Sequence, residues 1–384
     1  MLKMAVGQSD DIDPATAVAD AIDQCRDQLA GRAPRAGILF AALDVFDPSL
    51  PAAVRDAFPG IDVIGSTSSA EMSSVAGYLE DSVALAVFAT DEVELAVGFG
   101  DEVDKDAGAA VHAAVQQALA GTTKEPKVCL VLTEQTAGQH VVEALTTELP
   151  PGVLLIGGAA GRHELGGRLP TFQFLNDRIS STGVAILILC GPVAYSTAVG
   201  TGWRTLGPSG TVTRAAYGSI DEIDNKPAVE WASAYLDLVE VRTLGNPLAV
   251  QDPGMDGWYL RVVLGRNDSG ALVIPGQVPV GATVQLTTTN PEDMLAATTD
   301  AMKRARDSYP GSTNPSAALI FSCAVRKYLL GSRTSRELAA ARSELTDAVP
   351  IAGMYCIGEI APTAAGVDSH FLNETFVALL LGTT

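Results

Sequence analysis

Apolar positions along the chain fall into two textures. In the first, continuous apolar runs alternate with segments whose apolar residues recur every three or four positions. "GILFAALDVF" from Gly37 leads into "LPAAVRDAF", then "IDVIGSTSSAEM" and, after an excursion, "DSVALAVFA". The same order returns with "KVCLVLTEQ" from Lys127, "GQHVVEALTTEL", "VLLIGGAAGR" and "RISSTGVAILILC". It returns again with "SAALIFSCA" from Ser316, "RTSRELAAARSELTDA", "VPIAGMYCIGEI" and "HFLNETFVALLLG". Continuous runs predict strands covered on both faces, and the spaced pattern, such as Leu338, Ala341 and Leu345, predicts amphipathic helices. Three copies of one order predict a repeated strand-helix-strand module. The expected fold class is α/β, with helix-covered, mostly parallel sheets.

The second texture lies between the second and third copies. "VAYSTAVGTGWRTLGPSGTVTRAAYGSIDEIDNKPA" and "WYLRVVLGRNDSGALVIPGQVPVGATVQLTTTN" alternate and are rich in β-branched residues and glycine, which predicts an antiparallel β-rich middle segment. Asn267 to Gly270 marks a turn. "AVEWASAYLDLV" predicts a short amphipathic helix. "PEDMLAATTDAMKRARDSY" predicts a longer one, with Pro291 in its first turn, acids early and Lys303, Arg304 and Arg306 late. A boundary ahead of "NKPAVEWA" divides the chain into domains 1–225 and 226–384.

Composition narrows the function. Of 384 residues, 47% are hydrophobic and 18% charged, enough to bury large cores. The net charge of −20, with no basic run, argues against nucleic acid and anionic membrane as partners. The five cysteines are scattered without a CxxC pair, so neither a metal nor another cofactor is expected, and a reduced interior is. The N-terminus has no apolar signal core, and "GVAILILC" at Gly183–Cys190 is too short to span a bilayer. A cytoplasmic location is expected.

Polar residues at the strand ends are the candidates for chemistry. Ser66 and Thr67 follow Gly65 where open α/β sheets bind ligands, without the spacing or lysine of a phosphate loop. Arg162, His163 and Glu164 occupy the matching place in the second copy. In the third, Cys323 and Arg326 leave one strand, Glu359 leaves another, and His370 and Asn373 begin the next. A guanidinium and a carboxylate there make a clamp for a small amino acid, Arg326 gripping the carboxylate and Glu359 the amine. They equally make an internal ion pair. Cys323 with His370 and Glu359 (or Asn373) has the side chains of a cysteine hydrolase or transferase, although no nucleophile elbow surrounds Cys323.

The chain resembles FIST-domain proteins, with an N-terminal and a C-terminal FIST half. The residues that carry the resemblance are "FPGIDVIGSTSSAEM" with "DSVALAVF", the joint "IDEIDNKPAVEWASAYL", and "FSCAVR", "IAGMYCIGEIAP" and "HFLNETFVALLL". The family pattern places Asn directly after the last His; here Phe371 follows His370, and Asn373 comes later. The resemblance implies an intracellular sensory module for a small molecule such as an amino acid. No kinase, cyclase or chemoreceptor segment follows the two halves within these residues, so output through a partner signalling protein is expected.

Overall fold

The three copies are visible as three six-stranded sheets in a computed structural model that describes residues 1–164, 169–234, 246–255, 257–364 and 366–384. Each unit is longer than the sequence pattern suggested, because an edge strand and a helix precede the expected module. The first unit runs Leu2–Ser9, helix Pro14–Leu29, Ala36–Ala42, helix Leu50–Ala57, Asp62–Ser68, the hairpin Ala70–Ser73 and Gly77–Leu79, and Val83–Thr90. The second runs Glu94–Gly100, helix Val103–Leu119, Pro126–Thr133, helix Gly138–Glu148, Leu154–Ala159, the hairpin Gln173–Leu175 and Arg178–Ser180, and Val184–Cys190. The third begins with Val193–Gly200 and resumes, after a long insertion, with helix Pro291–Asp307. It continues through Ala317–Cys323, helices Ala324–Leu330 and Ser335–Arg342, Ile351–Cys356, the hairpin Glu359–Pro362 and Ser369–Leu372, and Phe376–Thr383.

The expectation of mostly parallel sheets is corrected. In each sheet only the two central strands of the unit run parallel: Ala36–Ala42 with Asp62–Ser68, Pro126–Thr133 with Leu154–Ala159, and Ala317–Cys323 with Ile351–Cys356. Every other pairing is antiparallel. The reason is the excursion. Its hairpin reverses the chain, so the last strand returns antiparallel beside the first central strand. An apolar run alone carries no direction.

The hairpins interlock the units. Ala70–Ser73 pairs with Ile351–Cys356 of the third unit, Gln173–Leu175 with Asp62–Ser68 of the first, and Glu359–Pro362 with Leu154–Ala159 of the second. Each unit therefore extends the sheet of another, in a closed cycle. Three backbone bonds repeat that cycle at the joint: Ser69 N to Tyr355 O at 2.8 Å, Gly161 N to Thr67 O at 2.8 Å and Ile357 N to Ala159 O at 3.0 Å. Gly161 is required there, since a Cβ would lie 2.6 Å from Ser69 Oγ. One face of each sheet lines a shared core that includes Ile38, Phe40, Leu130, Leu132, Leu319 and Phe321. The opposite faces carry the helices, in separate clusters around Val18 and Ile22, Val111 and Val115, and Ala301 and Met302.

The β-rich middle is an eight-stranded antiparallel sheet, as its alternation implied. The turn at Asn267–Gly270 is closed by Asn267 N to Ala271 O. Helix Pro291–Asp307 is capped by Asn290, which accepts from Asp293 N at 2.8 Å. The shorter helix spans Ala228–Ser233, and the remainder of the expected segment, from residue 235, lies outside the described residues. Strands from both sides of residue 225 build this sheet, and Val193–Gly200 pairs with Phe376–Thr383.

Candidate functional site

Seven of the residues singled out in the sequence, Ser66, Thr67, Cys323, Arg326, Glu359, His370 and Asn373, fall into four places. Ser66 and Thr67 lie within a strand and are fully buried. Ser66 Oγ points at Met354 Sδ, 3.6 Å away, and Thr67 Oγ1 accepts from Phe172 N at 3.0 Å. Gly65 serves the packing here: a Cβ would sit 2.1 Å from the ring of Phe174, on the hairpin that the second unit lends.

Cys323 and Glu359 do come together. Cys323 and Cys356 are register partners on parallel strands, and both thiols turn toward the Glu359 carboxyl, Cys356 Sγ at 3.4 Å. Glu359 Oε2 also accepts from Thr375 N at 3.0 Å and from Thr375 Oγ1 at 2.8 Å. Burial pushes the Glu359 carboxyl up to about 7. Burial, with Glu359 and Glu374 beside it, pushes the Cys323 thiol well above its usual range, the opposite of an activated nucleophile.

Arg326, next along the chain, turns away from this group and is fully buried. Its guanidinium donates to Glu337 Oε1 from Nε at 2.9 Å and from Nη2 at 2.7 Å, to Thr298 Oγ1 at 2.9 Å, to Met294 O at 3.1 Å and to Thr201 O. Glu337 Oε2 in turn accepts from Ser322 Oγ at 2.8 Å and Tyr355 OH at 2.7 Å. The carboxylate that Arg326 pairs with is therefore Glu337.

His370 and Asn373 form the fourth place, against the inserted sheet. The His370 ring lies parallel to Tyr259 at 6.4 Å, and burial, then Arg261, lowers its pKa below the usual value. Asn373 Oδ1 accepts from Val262 N at 3.5 Å. Among the described residues no hydrogen bond joins His370 to Cys323 or Glu359.

Several residues escaped the sequence reading. Glu71 is the counterpart of Glu359, which is legible once "GSTSSAE" is laid on "GMYCIGE" from Gly65 and Gly353. Its Oε1 accepts from Ser68 Oγ, as Glu359 Oε1 does from Cys356, and its Oε2 accepts from Ser82 N and Oγ, as Glu359 Oε2 does from Thr375. Burial pushes Glu71 up to about 7 as well. The third copy of this place holds Gln173, whose Oε1 accepts from Gly183 N at 3.0 Å. A longer excursion hides it from alignment. Glu374 follows Asn373 with positive φ (57°), is fully buried, and has no hydrogen-bond partner on either oxygen among the described residues. The indole N–H of Trp203, whose ring lies 5.9 Å from the Arg326 guanidinium, has none either. Lys327, beside Arg326, donates to Ser69 O at 2.9 Å and lies 3.2 Å from His163 Nδ1 and 3.4 Å from Glu80.

A groove of about 880 Å³ runs between Leu149–Val153 and the edge strand Val193–Gly200, and none of the seven residues lines it. Among the described residues, no helix is long and apolar enough to cross a membrane.

Residues 35–226 match the FIST N domain and residues 228–362 the FIST C domain. The chain belongs to the FIST family. Relatives of this FIST protein include the uncharacterized protein Rv0628c of Mycobacterium tuberculosis, 28% identical over 96% of this chain and 97% of that one. Another is the uncharacterized protein Mb0898c of Mycobacterium bovis, 26% identical over 96% of each. Among solved structures it aligns with cyanuric acid hydrolase from A. caulinodans at 12% identity and TM-score 0.32, over 100% of this chain and 99% of that one. PurLQS from Thermotoga maritima aligns at 13% identity and TM-score 0.24, over 100% of this chain and 72% of that one.

Proposed function

We propose that this FIST protein is a cytoplasmic small-molecule sensor for an amino acid or related amine or carboxylate, signalling to a partner protein. Membership of a small-ligand sensory family supports the general reading. The observation that carries the finer one is Glu374. A buried carboxyl with neither oxygen bonded loses its hydration without replacement, a cost of about 1–3 kcal/mol or more. Burial, and Glu359 beside it, raise its pKa well above the usual value. A ligand ammonium group supplies the missing donors and adds to the Arg326 charge, which already favours the ionised carboxylate. Trp203 Nε1 offers a donor on the other side of Arg326. Binding of an ammonium releases the proton from Glu374, so affinity rises with pH while the amine stays charged. Glu374 lies on the segment that joins the third unit's hairpin to its last strand, next to Thr375, which Glu359 holds. Glu359 in turn begins the strand that pairs with Leu154–Ala159 of the second unit.

The test is a thermal-shift screen of wild type and Glu374→Gln against amino acids, simple amines and simple carboxylates. A ligand at a hundredfold its Kd adds about 2.7 kcal/mol of stability. Amine-bearing compounds are expected to raise the wild-type midpoint and to leave the variant unmoved. A flat response across the panel overturns the reading.

A further inference from the structure

We infer that Arg261 anchors a second binding site, for the carboxylate group of a small ligand, where the inserted sheet meets the third unit's hairpin. Arg261 ends the strand Tyr259–Arg261, within the apolar run "WYLRVVL", and is 4% exposed. Among the described residues it has no ion pair. Its bonds come from one nitrogen only: Nη1 donates to Phe371 O at 2.9 Å and to Leu260 O at 3.3 Å. Nε is buried with no acceptor, and Nη2 makes no bond among the described residues.

The free edge is therefore the Nε–Nη2 side of the guanidinium. That edge presents two parallel N–H groups at the spacing of the two oxygens of a carboxylate. Asp252, the acid whose charge Arg261 feels, makes no ion pair with it, and its Oδ1 accepts from the Tyr259 hydroxyl at 2.8 Å. The Tyr259 ring covers one face of the guanidinium at 4.5 Å, and His370 stacks parallel to that ring. The cation is thus fixed in direction, with its pairing edge unused. A buried charge left without a counter-charge is strongly destabilising, and a bound carboxylate removes that cost. The contrast with Arg326 is direct, since there Glu337 already takes the same Nε and Nη2 edge. Arg261 and Glu374 are not paired with each other, for Arg261 donates to Phe371 O and neither Glu374 oxygen has a hydrogen-bond partner among the described residues.

Sodium acetate is the probe, at ionic strength held fixed with sodium chloride, on wild type, Arg261→Lys and Arg261→Met. Wild type is expected to show a saturable rise in melting midpoint. Arg261→Lys keeps the charge but loses the fork, so acetate binds about tenfold more weakly, the equivalent of one lost charge-assisted hydrogen bond of roughly 1.4 kcal/mol. Arg261→Met is expected to melt no lower than wild type without acetate and to ignore acetate. No saturable rise in wild type, or an equal rise in all three proteins, overturns the inference. If Arg261→Met does not fold, the 15N-detected Nε–H resonance of Arg261, assigned by its absence in Arg261→Lys, decides. A downfield move with acetate supports the site, and an unmoved resonance overturns it. Glu374→Gln should keep the full acetate response, so this site and the amine site fail or stand separately.

Discussion

Replacing Glu359 with glutamine should make the protein more stable at neutral and alkaline pH. Gln173 already occupies the equivalent place in the second unit, and it accepts from Gly183 N as Glu359 accepts from Thr375 N. The place therefore accommodates a neutral side chain of this shape. The Glu359 carboxyl is fully buried, and burial moves it from 4.5 to about 7. Its folded pKa is raised, so the native state holds the proton longer than the unfolded chain does. Below pH 4.5 both states are protonated and nothing is lost. Between 4.5 and 7 the unfolded chain sheds its proton while the native state keeps it, and stability falls with rising pH. Above 7 the deficit is complete, at about 3 kcal/mol. Glutamine has no proton to lose, so the gain in Glu359→Gln should be absent near pH 4.5, grow to pH 7 and level at about 3 kcal/mol. In a chain of this length that is a rise of a few degrees in Tm, roughly. Urea unfolding of both proteins across pH 4.5 to 8.5 measures it. A variant less stable at every pH, or least stable at high pH, would refute the reasoning, because it would mean the native carboxyl is ionised and needed so.

Glu71→Gln should follow the same pH course with a gain of about the same size, because burial raises Glu71 from 4.5 to about 7 even with the Lys327 charge favouring its ionised form; urea midpoints at pH 5 and 8 decide. Arg326→Ala should cost about 3–5 kcal/mol by leaving Glu337 buried and unpaired, and Arg326→Ala with Glu337→Gln should recover part of it, both read by urea unfolding. Native protein should resist iodoacetamide at Cys323, with mass spectrometry finding alkylation only in urea; rapid labelling of the folded protein would revive the cysteine-enzyme alternative.

The repeat was legible because each central strand is buried on both faces and so reads as a continuous apolar run, for example Ala317–Cys323. Strand direction was not legible. It depends on a hairpin of short strands, Ala70–Ser73 and Gly77–Leu79, whose residues mix burial and exposure and resemble a loop. The edge strand Leu2–Ser9 went unread because its run, "LKMAVGQS", is interrupted by Lys3, Gln8 and glycine. Its helix has a clear start at Asp13, which accepts from Thr16 N at 2.9 Å, but a polar mean composition. The exchange of hairpins between units could not be read at all, since a strand's sequence does not say which sheet it completes.

The same limit governs the site. Residue types at strand ends drew Cys323, Glu359, His370 and Asn373 into view, yet type does not reveal who pairs with whom. Arg326 and Arg261 are each a basic residue beside an apolar run, and each is buried. What separates them is which edge of the guanidinium is filled. Glu337 arrives from the next helix, eleven residues on, to meet Arg326, so its carboxylate was present in the sequence and only its reach was unknown. Arg261 finds Phe371 O across 110 residues and, among the described residues, no acid at ion-pair distance, although it feels the charge of Asp252. An unpaired buried charge is thus a property of the assembled fold, invisible in any window of sequence. It is also the feature that discriminates an anchor for a ligand from a strut of the core, because a satisfied ion pair has no free energy left to gain from a carboxylate.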